Sequence, residues 1–146
     1  MKTEKTVKKT TKAKSEKRLP LAHSVGRRKT ATARIWLRQG SGSIVVNGKK
    51  YTDYFDTEVA RLEAARAFQV IPAAASYDVE VLVRGGGLKG QAGAVKLGVA
   101  RALLSIHEGM RPTLREHDLL TVDSRQKERK KYGQRGARRK FQFVKR

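Results

Sequence analysis

The sequence predicts an α+β domain, one small sheet backed by helices, carried between two basic tails. Three observations predict it. Residues 31–38, ATARIWLR, alternate strictly between small or apolar and polar side chains. Residues 77–83, YDVEVLV, repeat the pattern. From Gly90 to about His107 the apolar residues recur at helical spacing and form a stripe wide enough to cover a sheet. The order hairpin, helix, strand, helix suits two packed layers.

Taken from the amino end, the strand at 31–38 sets Ala31, Ala33, Ile35 and Leu37 on one face and Thr32, Arg34, Trp36 and Arg38 on the other, as a half-buried strand does. QGSGS then signals a loop. The β-branched run in IVVNG, residues 44–48, is expected to return as the hairpin partner, and Asn47-Gly48 turns the chain again. A helix is expected from Thr57, with Asp56 or Thr57 as N-cap and Val59, Leu62 and Ala65 or Arg66 at helical spacing; Pro72 stops it. In the strand at 77–83, Tyr77, Val79, Val81 and Val83 face one way, while Asp78, Glu80 and Leu82 face solvent or a charged partner. The long helix carries its stripe on Val95, Val99, Ala102, Leu103 and Ile106, and Gly109 is a suitable stop. A short helix after Pro112 runs through Leu114 to Leu119.

Charge divides the chain. The 146 residues have a net charge of +21; residues 1–20 hold eight Lys/Arg against two Glu, and residues 124–146 hold eleven against one. Residues 21–123 hold fifteen cations and ten acids. The two ends have too few apolar side chains to offset the entropy of folding. The expected organisation is a basic disordered extension over 1–24, a globular α+β domain over 25–123 and an extended basic tail over 124–146. A polyanionic partner that releases counterions explains such an excess, and nucleic acid is the first candidate. A membrane is not expected, because the tails lack an interfacial apolar face and no apolar run approaches ~18 residues. The absence of cysteine removes disulfides and thiol chemistry, and the opening MKTEKTVKKTTKAKSEKRLP has no apolar signal core. A cytoplasmic protein is expected.

VLVRGGGLKGQAGAV, residues 81–95, contains a literal G-x-G-x-x-G at Gly85, Gly87 and Gly90. A dinucleotide site would need an acid about 20 positions on at the end of the next strand. The nearest, Glu108, falls at the end of the long helix. A P-loop would need Lys and Ser/Thr after Gly90, where Gln91 and Ala92 stand. Two readings stay open. The glycines let the loop turn and the helix pack closely on the strand, or the N–H groups of Gly85, Gly86 and Gly87, with Arg84 and Lys89 beside them, meet nucleic-acid phosphates.

Catalytic constellations are missing from the pattern. His23, His107 and His117 are scattered, Asp53 and Asp56 suit a turn and a cap, and Ser41 and Ser43 lie in a glycine turn without a base. No enzyme, metal site, cofactor or small-molecule substrate is expected. The tail is more informative. SRQKERKKYGQRGARRKFQFVKR interleaves Arg125, Arg129, Lys130, Lys131, Arg135, Arg138, Arg139 and Lys140 with Gly133, Gly136, Tyr132, Phe141 and Phe143. Guanidinium groups fork onto phosphate or stack on bases, glycines permit threading, and aromatics stack on unpaired bases. RNA suits this composition better than duplex DNA.

Three segments, GRRKTATARIWL from Gly26, GGGLKGQAGAVKLGVARAL from Gly85 and the closing ERKKYGQRGARRKFQFVKR, together resemble the bacterial-type ribosomal protein nine family of the small subunit. The resemblance covers about residues 25–146. It implies the second-domain-like fold of ribosomal protein five with a left-handed βαβ crossover, ribosome-bound in the head of the small subunit beside neighbouring ribosomal proteins. It implies an RNA-bound globular part and a tail that threads through rRNA; the rRNA contacts are expected at Arg27, Arg28 and Lys29, at the glycine loop with Gln91, and along the tail. It also implies that Lys145 and Arg146 approach the anticodon stem-loop of peptidyl-site tRNA. Val144 stands where a Ser or Thr is common, and Phe141 where a Pro is common, so a hydroxyl contact and a rigid bend are not carried over. A free-standing RNA chaperone or architectural protein of similar composition is the alternative.

Overall fold

The computed structural model describes residues 19–143. Five strands form one sheet in the order β1-β2-β5-β3-β4: β1 (Ala22–Arg28), β2 (Ala31–Gln39), β3 (Ile44–Val46), β4 (Lys49–Lys50) and β5 (Tyr77–Arg84). All neighbours are antiparallel except β3 and β5. The helices are α1 (Tyr51–Tyr54), α2 (Glu58–Val70), α3 (Leu88–Ile106) and α4 (Arg111–Glu116), with single 3-10 turns at Pro72–Ser76 and Glu108–Met110. The architecture is the α+β class expected, and the alternations at 31–38 and 77–83 are its two central strands.

The hairpin is not the one expected. β2 pairs with β1, a strand that the alternation rule passed over, and β5 lies on its other side. Length explains the choice, since β3 has three residues and would leave most of one edge of the nine-residue β2 unpaired, whereas the eight-residue β5 matches it along its length. Residues 40–43 instead carry the chain past the end of β5, so β3 lies on the far side of β5 and runs parallel to it. The sheet also takes in residues 22–24, which the sequence assigns to the amino-terminal extension.

Asp78 fastens that crossing. Its carboxylate accepts the backbone N–H groups of Ser41 and Ser43 at 2.9 and 3.0 Å and the Ser43 hydroxyl at 3.0 Å. The Ser43 N–H, with smaller contributions from its hydroxyl and from Ser41, holds the Asp78 carboxyl below its ordinary value. A depressed folded value means that this stabilisation is complete above the ordinary carboxylate range and is lost as pH falls through the lower folded value. Asp78→Ala is therefore expected to cost about 1 kcal/mol at neutral pH. Thermal melts of parent and variant should differ at pH 7 and converge in strong acid; equal melts at pH 7 would refute the role.

Packing reassigns the helix faces. α2 begins after Thr57, as expected, but buries Ala60, Ala64 and Ala67, while Val59 and Leu62 are 65% and 51% exposed. Size, rather than hydropathy, selects the face: α2 lies against α3, and small side chains allow the axes to approach. α3 crosses β1 and β2 with α2 on its flank. It is therefore buried almost all round from Gly90 to Leu103 instead of along one stripe. Its C-cap is His107, and Gly109 sits in the 3-10 turn beyond. α4 turns Leu114 into the core, and Leu119 follows it, with the Leu119 N–H donating to the Leu114 carbonyl at 2.9 Å.

Candidate nucleic-acid interface

At one end of the sheet the β1–β2 turn and the glycine loop lie against each other. Lys29 turns the hairpin with φ of 54°, and Gly85 and Gly86 turn the loop with φ of 74° and 65°. A Cβ on Gly85 would lie 2.6 Å from the Thr30 carbonyl oxygen, and one on Gly86 would lie 2.9 Å from the Ala31 Cβ. Only glycine tolerates both the conformation and the contact. Gly87, at the N-cap of α3, faces open space, and Gly90 makes ordinary van der Waals contacts. Of the two open readings, the turning role belongs to Gly85 and Gly86. The close helix-to-strand approach lies elsewhere, at Gly26 and Gly98.

The loop is held from behind. Gln91 donates from Nε2 to the Gly85 carbonyl at 3.0 Å and accepts from the Tyr54 hydroxyl at 2.8 Å. Asn47 donates to that hydroxyl and also brackets Val83, accepting its N–H at 2.9 Å and donating to its carbonyl at 3.2 Å. Gln91, expected among the RNA contacts, thus orders the loop. Arg84, Gly85, Gly86, Gly87 and Lys89 remain exposed. α3 has no acidic residue in its first turn, so the positive end of its dipole is uncompensated there.

Arg28 is likewise engaged from within. Its Nη1 lies 2.8 Å from Glu63 and 3.3 Å from the Lys89 carbonyl, its Nε lies 3.4 Å from Asp123, and its side chain covers Gly93. Lys96 approaches the same Glu63 at 3.6 Å. Arg27 and Lys29 stay exposed beside it. A cleft of about 190 Å³ lies between Arg27, Arg28, Lys96, Thr121, Asp123 and Arg125. Sequence could not find Lys96 or this cluster, because the partners of Arg28 lie 35 and 95 positions away.

Asp123 marks the root of the tail. Arg125 grips its carboxylate through Nε and Nη2, both at 2.9 Å, and these bonds, with the Arg125 N–H, hold the Asp123 carboxyl well below the usual carboxylate range. Gln126 donates to the Lys29 carbonyl at 3.3 Å, so the tail leaves alongside the β1–β2 turn. Residues 124–143 form no helix or strand, but they are not extended throughout. The Arg135 N–H donates to the Arg139 carbonyl at 2.8 Å, Arg138 pairs with Glu128, and the Arg135 guanidinium lies 5.5 Å from the Phe141 ring centre. Local charge pairing and cation–π stacking bend a segment that composition reads as a thread. Arg129, Lys130, Lys131, Arg139 and Lys140 project outward, and Tyr132 and Phe143 are 95% and 92% exposed. Val144, Lys145 and Arg146 lie outside the described residues.

The start, the glycine loop and the tail root thus meet at one cationic edge. Among the described residues no group of side chains suits a metal ion, and no helix is long and apolar enough to cross a membrane. Residues 26–146 match the family described as ribosomal protein S9/S16. The chain belongs to the ribosomal protein S9/S16 family. It is 46% identical over 128 residues to the small ribosomal subunit protein uS9 of Cytophaga hutchinsonii, covering 88% of this chain and all of that one. It is 47% identical to the protein of that name from Desulfosudis oleivorans and 48% to that from Thermotoga neapolitana, each over 85% of this chain and 95% of the relative. This family is a structural constituent of the small ribosomal subunit and not an enzyme, which removes the nucleotide-enzyme reading of the glycine loop and sets aside the free-standing chaperone. The S9/S16 match begins within β1, at Gly26, whose backbone lies close against that of α3.

Proposed function

We propose that the domain binds small-subunit rRNA in the head of the subunit through its cationic sheet end, and that the tail runs on through rRNA to peptidyl-site tRNA. Arg27, Lys29, Arg84, Lys89 and the N–H groups of Gly85–Gly87 supply phosphate contacts. Arg28 and Gln91 hold that surface in shape. Arg125, Arg129, Lys130, Lys131, Arg135, Arg138, Arg139 and Lys140 continue it, and neighbouring small-subunit proteins complete the surroundings. The work is cytoplasmic and ribosome-bound, and no bond is made or broken. One observation carries the reading: the exposed cations of three distant segments adjoin at one edge from which the tail departs. Phosphate contacts fix position while base contacts specify, so this edge recognises shape and charge.

Lys145 and Arg146 are the proposed tRNA contacts. Deleting both is expected to weaken peptidyl-site tRNA binding to reconstituted small subunits roughly tenfold, consistent with the loss of one or two neutralised phosphates. Subunit assembly, followed by sedimentation, should be nearly unaffected. Unchanged tRNA affinity at low and moderate salt would remove the tip from the mechanism.

A further inference from the structure

Helices cover only one face of the sheet. The β1–β2–β5 register orders the other face in three rows: His23, Trp36 and Glu80; then Val25, Arg34 and Leu82; then Arg27, Thr32 and Arg84. Burial alternates accordingly, with Arg27, Arg34, Leu82 and Arg84 exposed opposite the buried Ala33, Val81 and Val83. At one end His23 and Trp36 are in ring contact, their centroids 5.3 Å apart. At the other, two arginines flank Thr32 beside the glycine loop. Among the described residues Arg27, Arg34 and Arg84 form no salt bridge. The acids of this face are already engaged, Glu80 by Arg38 and Asp78 by Ser41 and Ser43. Residues 1–20, with eight cations and two acids, have the same net sign and supply no net counter-charge.

We propose that this open face is a platform for single-stranded RNA, with a base stacked at the Trp36–His23 pair and the adjoining phosphates held by Arg34, Arg27 and Arg84. Charge complementarity calls for a polyanion. The aromatic pair distinguishes RNA with unpaired bases from a duplex, whose bases are stacked on one another, and from an acidic protein, which has no bases to stack. The proposal rests on the rRNA-binding reading and extends it from the cationic edge, with which it shares Arg27 and Arg84, across the open face to Arg34 and the Trp36–His23 pair.

Trp36 is the only tryptophan of the chain, so its fluorescence reports on this face alone. Titration of the full-length protein with a short single-stranded RNA should quench Trp36 saturably, with log affinity falling by about 0.7 per neutralised phosphate against log salt. Arg34→Glu should lower the quench-detected affinity roughly tenfold. The anisotropy of a labelled copy of the RNA should still report binding by the tail. If Arg34→Glu loses the parent's circular dichroism, Arg34→Gln takes its place, with a smaller loss in the same direction. A rise in anisotropy with Trp36 unquenched overturns the platform and leaves the rRNA-binding reading standing; no rise at all overturns both. Leu82→Cys places the chain's only thiol on this face, and a strand-cleaving reagent attached there should cut rRNA in reconstituted subunits. Cross-links to a neighbouring protein with no rRNA cleavage would show that a protein covers the face instead, and would overturn the proposal.

Discussion

Gly26→Ala is expected to destabilise the domain by about 3 kcal/mol, at the upper end of what overpacking costs. The added Cβ would lie 1.9 Å from the Ala94 carbonyl oxygen and 2.6 Å from the Gly98 nitrogen. Both are backbone atoms of α3, so no rotamer change relieves the clash; β1 and the helix must part. Ser24 meets the helix at the same level, donating from Oγ to the Gly98 carbonyl at 2.6 Å. Parting them would break that bond as well. For a domain of about 100 residues the loss corresponds to a fall in Tm of roughly 15 °C. Gly87→Ala provides the contrast, since a Cβ there meets nothing within 4 Å. That change should stay within about 0.5 kcal/mol. Calorimetry on the pair tests the strand-helix contact against an open glycine position, and a neutral Gly26→Ala would refute the contact.

Removal of residues 124–146 should have the largest effect on RNA. The deletion takes away eleven cations and one acid. Each phosphate left unneutralised flattens the dependence of log affinity on log salt by about 0.7 to 0.9, so several lost contacts reduce affinity on the order of a thousandfold near physiological salt. Thermal stability should change little, because residues 124–143 contribute no helix or strand and the aromatic rings at Tyr132, Phe141 and Phe143 are exposed. Filter binding across a salt series, with melts of the same proteins, separates the two effects. An unchanged slope would place the electrostatic contact on the globular domain alone.

The difference between these two experiments mirrors what could be read before folding. The strands at 31–38 and 77–83 were legible because a sheet with one covered face imposes a period of two on its own sequence. The tail was legible because eleven cations in one segment cannot be buried. β1 was not, since its inward positions are Ala22, Ser24, Gly26 and Arg28, and none announces a core. Their smallness and polarity serve α3: Gly26 admits its backbone, Ser24 bonds its carbonyl and Arg28 lies over Gly93. Val59 and Leu62 misled for the converse reason, because the contact between α2 and α3 selects alanines for closeness.

For the candidate interface, residue types named the chemistry and the fold assigned the roles. Arg28 and Gln91 have the composition of RNA contacts, yet one is neutralised by Glu63 and Asp123 and the other is bound to the Gly85 carbonyl and Tyr54. Class, charge and the polyanionic partner follow from the amino-acid order alone, because periodicity and net charge are properties of the covalent chain. Strand pairing, the identity of the close-packed glycines and the division of cations into those engaged within the fold and those left exposed arise only when segments distant in sequence come into contact, where steric fit and counter-charge act over a few ångströms.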